Sequence, residues 1–127
     1  MSLTVNLTEY LDTNLSLTID TDLFVGQVES DLPDHAVWVR EAPGSTENES
    51  GLESRIVEIF AQDKTFLLGE ALANTIYDLL AHKPGFSGDD LSSENIFYCE
   101  PQGMPGILHQ DAKGRYVFLT TFMVRKR

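Results

Sequence analysis

Histidine, cysteine and carboxylate side chains are the residues of this sequence that could bind a metal or act on a substrate. The three histidines, His35, His82 and His109, have no second ligand at a spacing such as His-Glu-x-x-His, so the sequence predicts no zinc site. Cys99 is the single cysteine and has no companion at a catalytic or metal-binding spacing. We expect it to be a small buried hydrophobic residue.

Two acidic clusters could hold a cation: Asp20 with Asp22, and Asp89 and Asp90 with Glu94. Neither has the glycine and the ordered alternation of ligands of a calcium-binding loop, and local turns and caps are the more ordinary use of such residues. The sequence also lacks a glycine-rich phosphate loop and a Gly-x-Ser-x-Gly motif. We therefore expect no cofactor and no catalytic or metal site, and we interpret the chain as a non-enzymatic protein.

The distribution of charge is the most informative feature of the composition. The net charge is −11, and residues 1–53 carry eleven acidic side chains against one basic side chain, Arg40. A protein that binds nucleic acid through its phosphates needs a basic surface, which this sequence does not offer. Solubility is the common reason for an acidic surface. The alternative is that part of the surface lies near nucleic acid that must not bind.

Targeting signals are not apparent. Glu9 and Asp12 stand where a signal peptide would be basic, so we expect none. No apolar run approaches the length that crosses a membrane, and we expect no membrane partner. A single cysteine cannot form an internal disulfide, which fits synthesis in a reducing compartment.

A length of 127 residues predicts one domain, residues 1–127. Leu3, Leu7, Tyr10 and Leu11 recur at helical spacing and predict a first helix from Leu3 to Asn14. Runs of β-branched and aromatic residues predict six strands. These are residues 23–28, 36–41, 54–60, 95–99, 107–109 and 116–125. A turn is predicted before the last strand, at Asp111–Gly114, with Gly114 where a positive φ is needed. Phe118 and Phe122 alternate along the last strand and are expected in the core rather than as a base-stacking platform.

A second, stronger helix is predicted from a cap at Asp63 to about Lys83. Its expected apolar stripe, at helical spacing, is Leu68, Ala71, Leu72, Thr75, Ile76, Leu79 and Leu80. The element order is then α β β β α β β β. Short turns between consecutive strands favour antiparallel pairing, so the predicted fold class is α+β: a single domain with a mixed or mainly antiparallel sheet and two helices packed on it.

Four segments, taken in chain order, carry a resemblance to a known family. They are Leu32–Gly44, Arg55–Asp63, Ala71–Leu80 and Asp111–Arg115 with the strand that follows. Together they resemble the phage minor capsid or tail terminator proteins of long-tailed phages, over roughly residues 32–127. One departure is Phe60–Asp63, where such proteins often carry a basic residue after the strand.

The resemblance implies a virion protein, made in the cytoplasm of the bacterial host, that forms a ring of six copies at the head-proximal end of the tail. Its implied partners are further copies of itself, the major tail tube protein and a head–tail connector protein. DNA would pass through the ring without specific binding, past acidic side chains that repel its phosphates.

Charge asymmetry suggests which residues would join the copies of such a ring. Head-to-tail contacts could pair acidic and basic side chains, and the predicted interface residues are Arg40, Glu41, Arg55, Arg115, Arg125 and Arg127. Residues 43–51 contain no apolar side chain, and we expect them to form a mobile loop. This loop and residues 86–94 are predicted to order against partners, through Gly44, Glu47, Glu49, Asp89 and Asp90.

Two other functions stay open at this point. The chain could be another head–tail joining protein of similar size, which only its location in the particle would distinguish. It could instead be an acidic inhibitor or DNA mimic that binds a basic groove on an enzyme. A DNA mimic should remain monomeric, whereas a terminator should form rings.

Overall fold

The computed structural model describes residues 3–19, 21–26, 32–43, 46–47, 51–81 and 96–126. They form an α+β fold with two helices and a mixed sheet, as the sequence predicted. The elements in chain order are α1 (Leu3–Asn14), β1 (Leu23–Val25), β2 (Ala36–Glu41), β3 (Thr46–Glu47), β4 (Glu53–Asp63), α2 (Phe66–Leu80), β5 (Ile96–Pro101), β6 (Gly106–Gln110) and β7 (Tyr116–Lys126).

Two long strands form the centre of the sheet. β4 and β7 pair antiparallel along their whole lengths, from Glu53 opposite Lys126 to Asp63 opposite Tyr116. On the side away from β7, β4 pairs with β2 and β3. On the side away from β4, β7 pairs with β5 and β6. The long final strand is therefore the element on which one whole side of the sheet is assembled.

The strand pairs are antiparallel with one exception. β1 runs parallel to β2, with Leu23 opposite Val37. The prediction of antiparallel neighbours is wrong at this pair. The prediction rested on short turns between consecutive strands, and a turn in the sequence does not by itself fix the direction in which two strands pair.

The short strand β3 corrects a second prediction. Thr46 and Glu47 lie in the segment expected to be a mobile loop, yet they pair with Ser54 and Glu53 of β4. Backbone hydrogen bonds to a neighbouring strand do not need apolar side chains, so the composition of the segment gave no sign of them. The assembly-loop residues Gly44, Glu49, Asp89 and Asp90 lie outside the described residues.

Strand alternation gives the sheet a covered face and an open face. The covered face presents Val37 and Val39 of β2, Val57 and Ile59 of β4, and Phe118 and Phe122 of β7, all buried in one core. Helix α1 packs on β1 and β2, and α2 packs on β4 and β7. The α1 stripe of Leu3, Leu7, Tyr10 and Leu11 is buried, as predicted.

Helix α2 meets the sheet through a stripe that matches the predicted one only in part: Ile76 and Leu80 belong to both. Its buried residues are Gly69, Ala73, Ile76 and Leu80, whereas Leu68 is 59% exposed and Leu72 is half-buried. The helix begins at Phe66, not at Asp63, which is the last residue of β4. Gly69 explains the rotation, because its missing side chain makes room for the Phe118 ring. A stripe chosen by large apolar side chains gives no weight to a glycine.

Candidate assembly surfaces

Residues that could carry chemistry do not converge in the described part of the chain. No group of three or more His, Cys, Asp or Glu side chains is placed there to hold a metal ion. Asp22 has a local role, since its Oδ1 accepts a hydrogen bond from the Thr18 backbone N–H at 2.6 Å. No helix among the described residues is long and apolar enough to cross a membrane.

Cys99 lies in the core, as the sequence predicted. It is 1% exposed, on β5 opposite Val124. Burial raises the pKa of the Cys99 thiol to about 12, because the thiolate would lose its hydration. The thiol is therefore protonated at neutral pH and is a poor nucleophile.

The predicted interface residue Arg40 lies on the open face of the sheet. Its Nε donates a hydrogen bond to Glu58 Oε1 at 2.7 Å, and its guanidinium carbon is 4.9 Å from the centroid of the Phe60 ring. The Trp38 ring stacks on the same Phe60 ring, with 5.1 Å between the two ring centroids. A cation–π contact and an ion pair together hold Arg40 against its own sheet.

Glu41 and Arg55 are brought together by the pairing of β2 with β4. The Arg55 guanidinium donates to the Glu41 carboxylate and, at 3.0 Å, to Glu53 Oε1. The hydrogen bond to Glu41 raises the pKa of Arg55 above its ordinary value. Lys126 Nζ lies 3.8 Å from the second oxygen of Glu53, which extends this charged cluster to β7.

Arg115 is placed inside the subunit, with only 4% of its surface exposed. Its Nε donates to Asp111 Oδ2 at 2.8 Å, and its Nη1 donates to the backbone carbonyl of Leu32. Little of the side chain is left to meet a neighbouring subunit. Sequence reasoning treated Arg115 as a surface base because nothing in the local pattern shows the contact with Leu32, which is distant in the chain.

The pKa of Asp111 is lowered in the folded chain. Partial desolvation opposes ionisation, but the hydrogen bonds from the Arg115 backbone and guanidinium N–H groups and from the Lys113 N–H outweigh it. Asp111 thus closes the turn before β7, and Gly114 completes that turn with a φ of 80°. The sequence predicted this turn correctly.

Arg125 is half-exposed near the end of β7. Its Nη2 donates to Glu100 Oε2 at 3.2 Å, so it also has a carboxylate partner in its own chain. Arg127 lies outside the described residues. The predicted interface bases that can be placed are therefore already bonded to acceptors within the subunit, and a role for them between subunits remains a prediction.

At Phe60–Asp63, where the family often carries a basic residue after the strand, two side chains bond to other residues of the same chain. Asp63 Oδ2 lies 2.8 Å from His35 Nδ1, and Gln62 Nε2 donates to the Pro33 carbonyl at 3.0 Å. These bonds tie the segment before β2 to the end of β4. The sequence gave no signal for them beyond the polarity of the residues.

Two exposed apolar surfaces were not predicted from the sequence. The first, the α2 ridge, is formed by Phe66, Leu67 and Leu68 in the first turn of α2, and they are 39%, 71% and 59% exposed. The second, the β6 groove, has a volume of about 420 Å³. Its lining residues are Ile56, Gln102, Gly103, Met104, Gly106, Ile107, Leu108, Leu119 and Thr121. Isolated apolar side chains on a surface are ordinary, but grouped ones indicate a contact with a partner.

Grouped exposed apolar side chains, such as those of the α2 ridge and the β6 groove, are typical of a protein that binds other proteins. A family model described as bacteriophage tail terminator protein matches residues 10–126. The chain belongs to this family. A comparison with curated proteins found no match.

Proposed function

We propose that this protein caps the head-proximal end of the phage tail tube as a ring of identical copies. The ring would stop tube polymerisation and offer a docking surface to the head–tail connector. Membership of the tail terminator family, over residues 10–126, is the observation that carries the proposal. The mechanism is geometric: the ring occupies the end of the tube and replaces its growing surface with a different one.

The charge of the chain supports passage of DNA through such a ring. A net charge of −11 in each of six copies makes a strongly acidic assembly. Acidic side chains facing the channel repel phosphates at close range and leave the genome free to move, whereas basic ones would retain it. The basic side chains Arg40, Arg55, Arg115 and Arg125 are neutralised by acids of their own chain, which is consistent with weak attraction for DNA.

The test measures assembly and capping separately. Size-exclusion chromatography with light scattering gives the mass of the purified protein over a range of concentrations, and negative-stain microscopy shows rings. Tail tube protein is then polymerised with and without the chain, and the tube lengths are compared. We expect rings of six copies and shorter, capped tubes. A protein that stays monomeric alone and with tubes, and leaves tube length unchanged, would falsify the proposal.

The same experiment separates two rival functions. A head–tail connector protein would form oligomers but leave tube polymerisation unaffected. A DNA mimic, favoured only by the net charge, would remain monomeric and would be retained by a basic nucleic-acid-binding enzyme. Several acids that such a mimic would need at its surface, among them Glu41, Glu53 and Glu58, are instead bonded to bases within the chain.

A further inference from the structure

A cleft lies between the end of α1 and the middle of α2, and its volume is about 370 Å³. Three leucines, Leu15, Leu17 and Leu72, give this α1–α2 cleft an apolar wall. His35 lines it from the segment that leads into β2, and Thr75 lines it from α2. A volume of this size, with an apolar wall and a few polar groups, is typical of clefts that bind a small ligand.

Two polar side chains of the α1–α2 cleft can only accept hydrogen bonds. The single hydroxyl proton of Thr75 is donated to the Ala71 carbonyl at 2.8 Å, so Thr75 Oγ1 has only lone pairs left. His35 Nδ1 lies 2.8 Å from Oδ2 of Asp63. An ionised carboxylate has no proton to donate, so Nδ1 carries the proton of the neutral ring and Nε2 is an acceptor. A ligand that contacts both side chains therefore has to supply the donors.

The other two polar side chains of the cleft are compatible with a donor ligand. Asn14 donates one amide N–H to the Tyr10 carbonyl at 2.8 Å and keeps its Oδ1 as an acceptor. Ser16 has a hydroxyl, which can accept as well as donate. An ammonium group has three donors and a guanidinium group has five, and neither has an acceptor. Both groups end aliphatic chains, which pack well on apolar side chains such as the three leucines.

The charge of the two helices favours a cation over a neutral donor. α1 and α2 contain four carboxylates and no lysine, arginine or histidine. The ion pairs formed among the described residues involve none of these four, which are Glu9, Asp12, Glu70 and Asp78. Asp78 follows Thr75 by three residues, so the two are neighbours on the surface of α2. A cation in the cleft would therefore meet a negative potential with no base of either helix to oppose it.

We infer that the α1–α2 cleft binds the cationic end of a lysine or arginine side chain that belongs to a different protein. The stem would lie on the leucine wall, and the charged end would donate to Thr75 Oγ1 and His35 Nε2. Only the kind of protein that carries this side chain rests on the proposed function: it would be a tail or head protein that the ring meets.

Two other sources of a cation fit the cleft less well. A second copy of the chain would have to break an internal ion pair, because its described bases Arg40, Arg55 and Arg125 are bonded to carboxylates of their own chain. A free polyamine would place a further ammonium group against the leucine wall, where it would lose its hydration without gaining an acceptor.

Direct titration of the purified protein tests the inference without any partner. The probes are N-acetyl-arginine amide and N-acetyl-lysine amide, and the matched neutral probes are the citrulline and norleucine analogues. We expect at least one cationic probe to bind with a Kd in the millimolar range and to shift the amide NMR signals of Asn14 and Thr75. Its neutral analogue should bind at least about fivefold more weakly, and spermidine should bind no more tightly than the better cationic probe.

A pair of threonine variants locates the binding. Thr75→Val keeps the shape of the side chain but removes an acceptor, and it should weaken binding of the cationic probe about tenfold, because a bond from a charged donor is lost. Thr13→Val is the control: Thr13 makes the same bond to the fourth preceding carbonyl, that of Glu9, but does not line the cleft. It should change binding by less than about twofold, and both variants should keep the wild-type circular dichroism spectrum.

Assembly of Thr75→Val separates a different protein from a second copy as the source of the side chain. Selective binding that Thr75→Val alone weakens, with rings formed at the wild-type concentration, supports the inference. Equal binding of charged and neutral probes, no effect of Thr75→Val, tighter binding of spermidine, or weakened ring assembly each overturns it and leaves the capping function standing. A wild-type protein that forms no ring and leaves tail tubes uncapped overturns the proposed function, while the titration still decides the cleft.

Discussion

The ring of Phe118 lies so close to Gly69 that no side chain fits between them. A Cβ on Gly69 would come within 2.9 Å of Phe118 Cε1, a separation that real Cβ atoms do not adopt. The Phe118 ring is also held edge-on by Phe66, with centroids 5.2 Å apart. This contact sets the rotation of α2 on the sheet and thereby leaves Leu67 and Leu68 exposed.

Gly69→Ala should therefore destabilise the fold, although alanine is the better helix former. Helix propensity favours alanine by about 1 kcal/mol, whereas overpacking a core contact costs typically 1–3 kcal/mol. We expect a net loss of about 1 kcal/mol or more in the free energy of unfolding, measured by urea denaturation. Asn74→Ala, at an exposed position of α2, is the control and should be neutral or slightly stabilising. Equal stabilisation of both variants would contradict the close contact.

The buried stripe of α2 gives a second prediction, in which the structure corrects the cost that the sequence suggests for one substitution. Leu72 belongs to the stripe predicted from the sequence, and full burial there would make Leu72→Ala cost on the order of 2–5 kcal/mol. Leu72 is only half-buried, beside the groove between α1 and α2, so we now expect about 1–2 kcal/mol. Ile76→Ala, at 1% exposure, should cost about 2–5 kcal/mol.

Equilibrium denaturation ranks the two α2 variants by their loss in the free energy of unfolding, with Leu68→Ala as the exposed control. We expect Ile76→Ala to be the most destabilised and Leu68→Ala to lie within about 0.5 kcal/mol of wild type. If Leu72→Ala and Leu68→Ala both exceeded Ile76→Ala in cost, Leu68 and Leu72 would lie in the core and the observed rotation of α2 would be wrong.

How far the sequence predicts this fold depends on how local the signal is. The helix Leu3–Asn14, the β7 alternation of Phe118 and Phe122, and the turn at Gly114 each follow from neighbouring residues, and all three are confirmed. The face of α2, the parallel pairing of β1 and the strand β3 depend on contacts between distant segments. Periodicity and composition do not carry that information.

The candidate assembly surfaces show the same difference between what neighbouring residues predict and what distant contacts decide. Sequence composition identified the acidic N-terminal half and the bases that could complement it. It could not show that Arg40, Arg55 and Arg125 already have carboxylate partners on adjacent strands, since strand register decides those pairs. Nor could it show that Leu67 and Met104 remain exposed, because an apolar residue in a helix or near a strand is counted as core until its orientation is known.

Arg115 gives a third prediction, because its bonds are buried and those of Arg125 are not. Arg115→Met should cost about 1–3 kcal/mol, since it leaves the Leu32 carbonyl and Oδ2 of Asp111 without the guanidinium donor. Arg125→Met removes a half-exposed pair with Glu100 and should cost less than about 1 kcal/mol. Urea denaturation of the two variants checks the difference.

The Arg115 comparison also bears on assembly. A charge reversal at Arg115 would test folding, whereas one at Arg125 would test the predicted ionic interface in a folded subunit. Rings formed by Arg125→Glu at the wild-type concentration would show that this base is not needed between subunits. Comparable losses of folding stability in Arg115→Met and Arg125→Met would contradict the internal role of Arg115.

The last prediction concerns the stability of the fold at acid pH. The folded pKa of Asp111 is lowered below its ordinary value by the hydrogen bonds from Arg115 and Lys113, so ionised Asp111 stabilises the fold. This contribution is fully present above the unfolded pKa and is lost as the pH falls through the lower, folded pKa. Asp111→Asn removes the titrating group while keeping its size, so the variant should be less stable than wild type at pH 7.

Denaturation of wild type and Asp111→Asn between pH 7 and about pH 2.5 tests the sign. The difference in unfolding free energy should be constant above about pH 5 and should shrink below pH 4 as the wild-type carboxyl becomes protonated. Asp78→Asn, at an exposed position of α2, is the control and should follow wild type throughout. A difference that stayed constant down to pH 2.5 would show that the Asp111 carboxylate does not stabilise the fold through its charge.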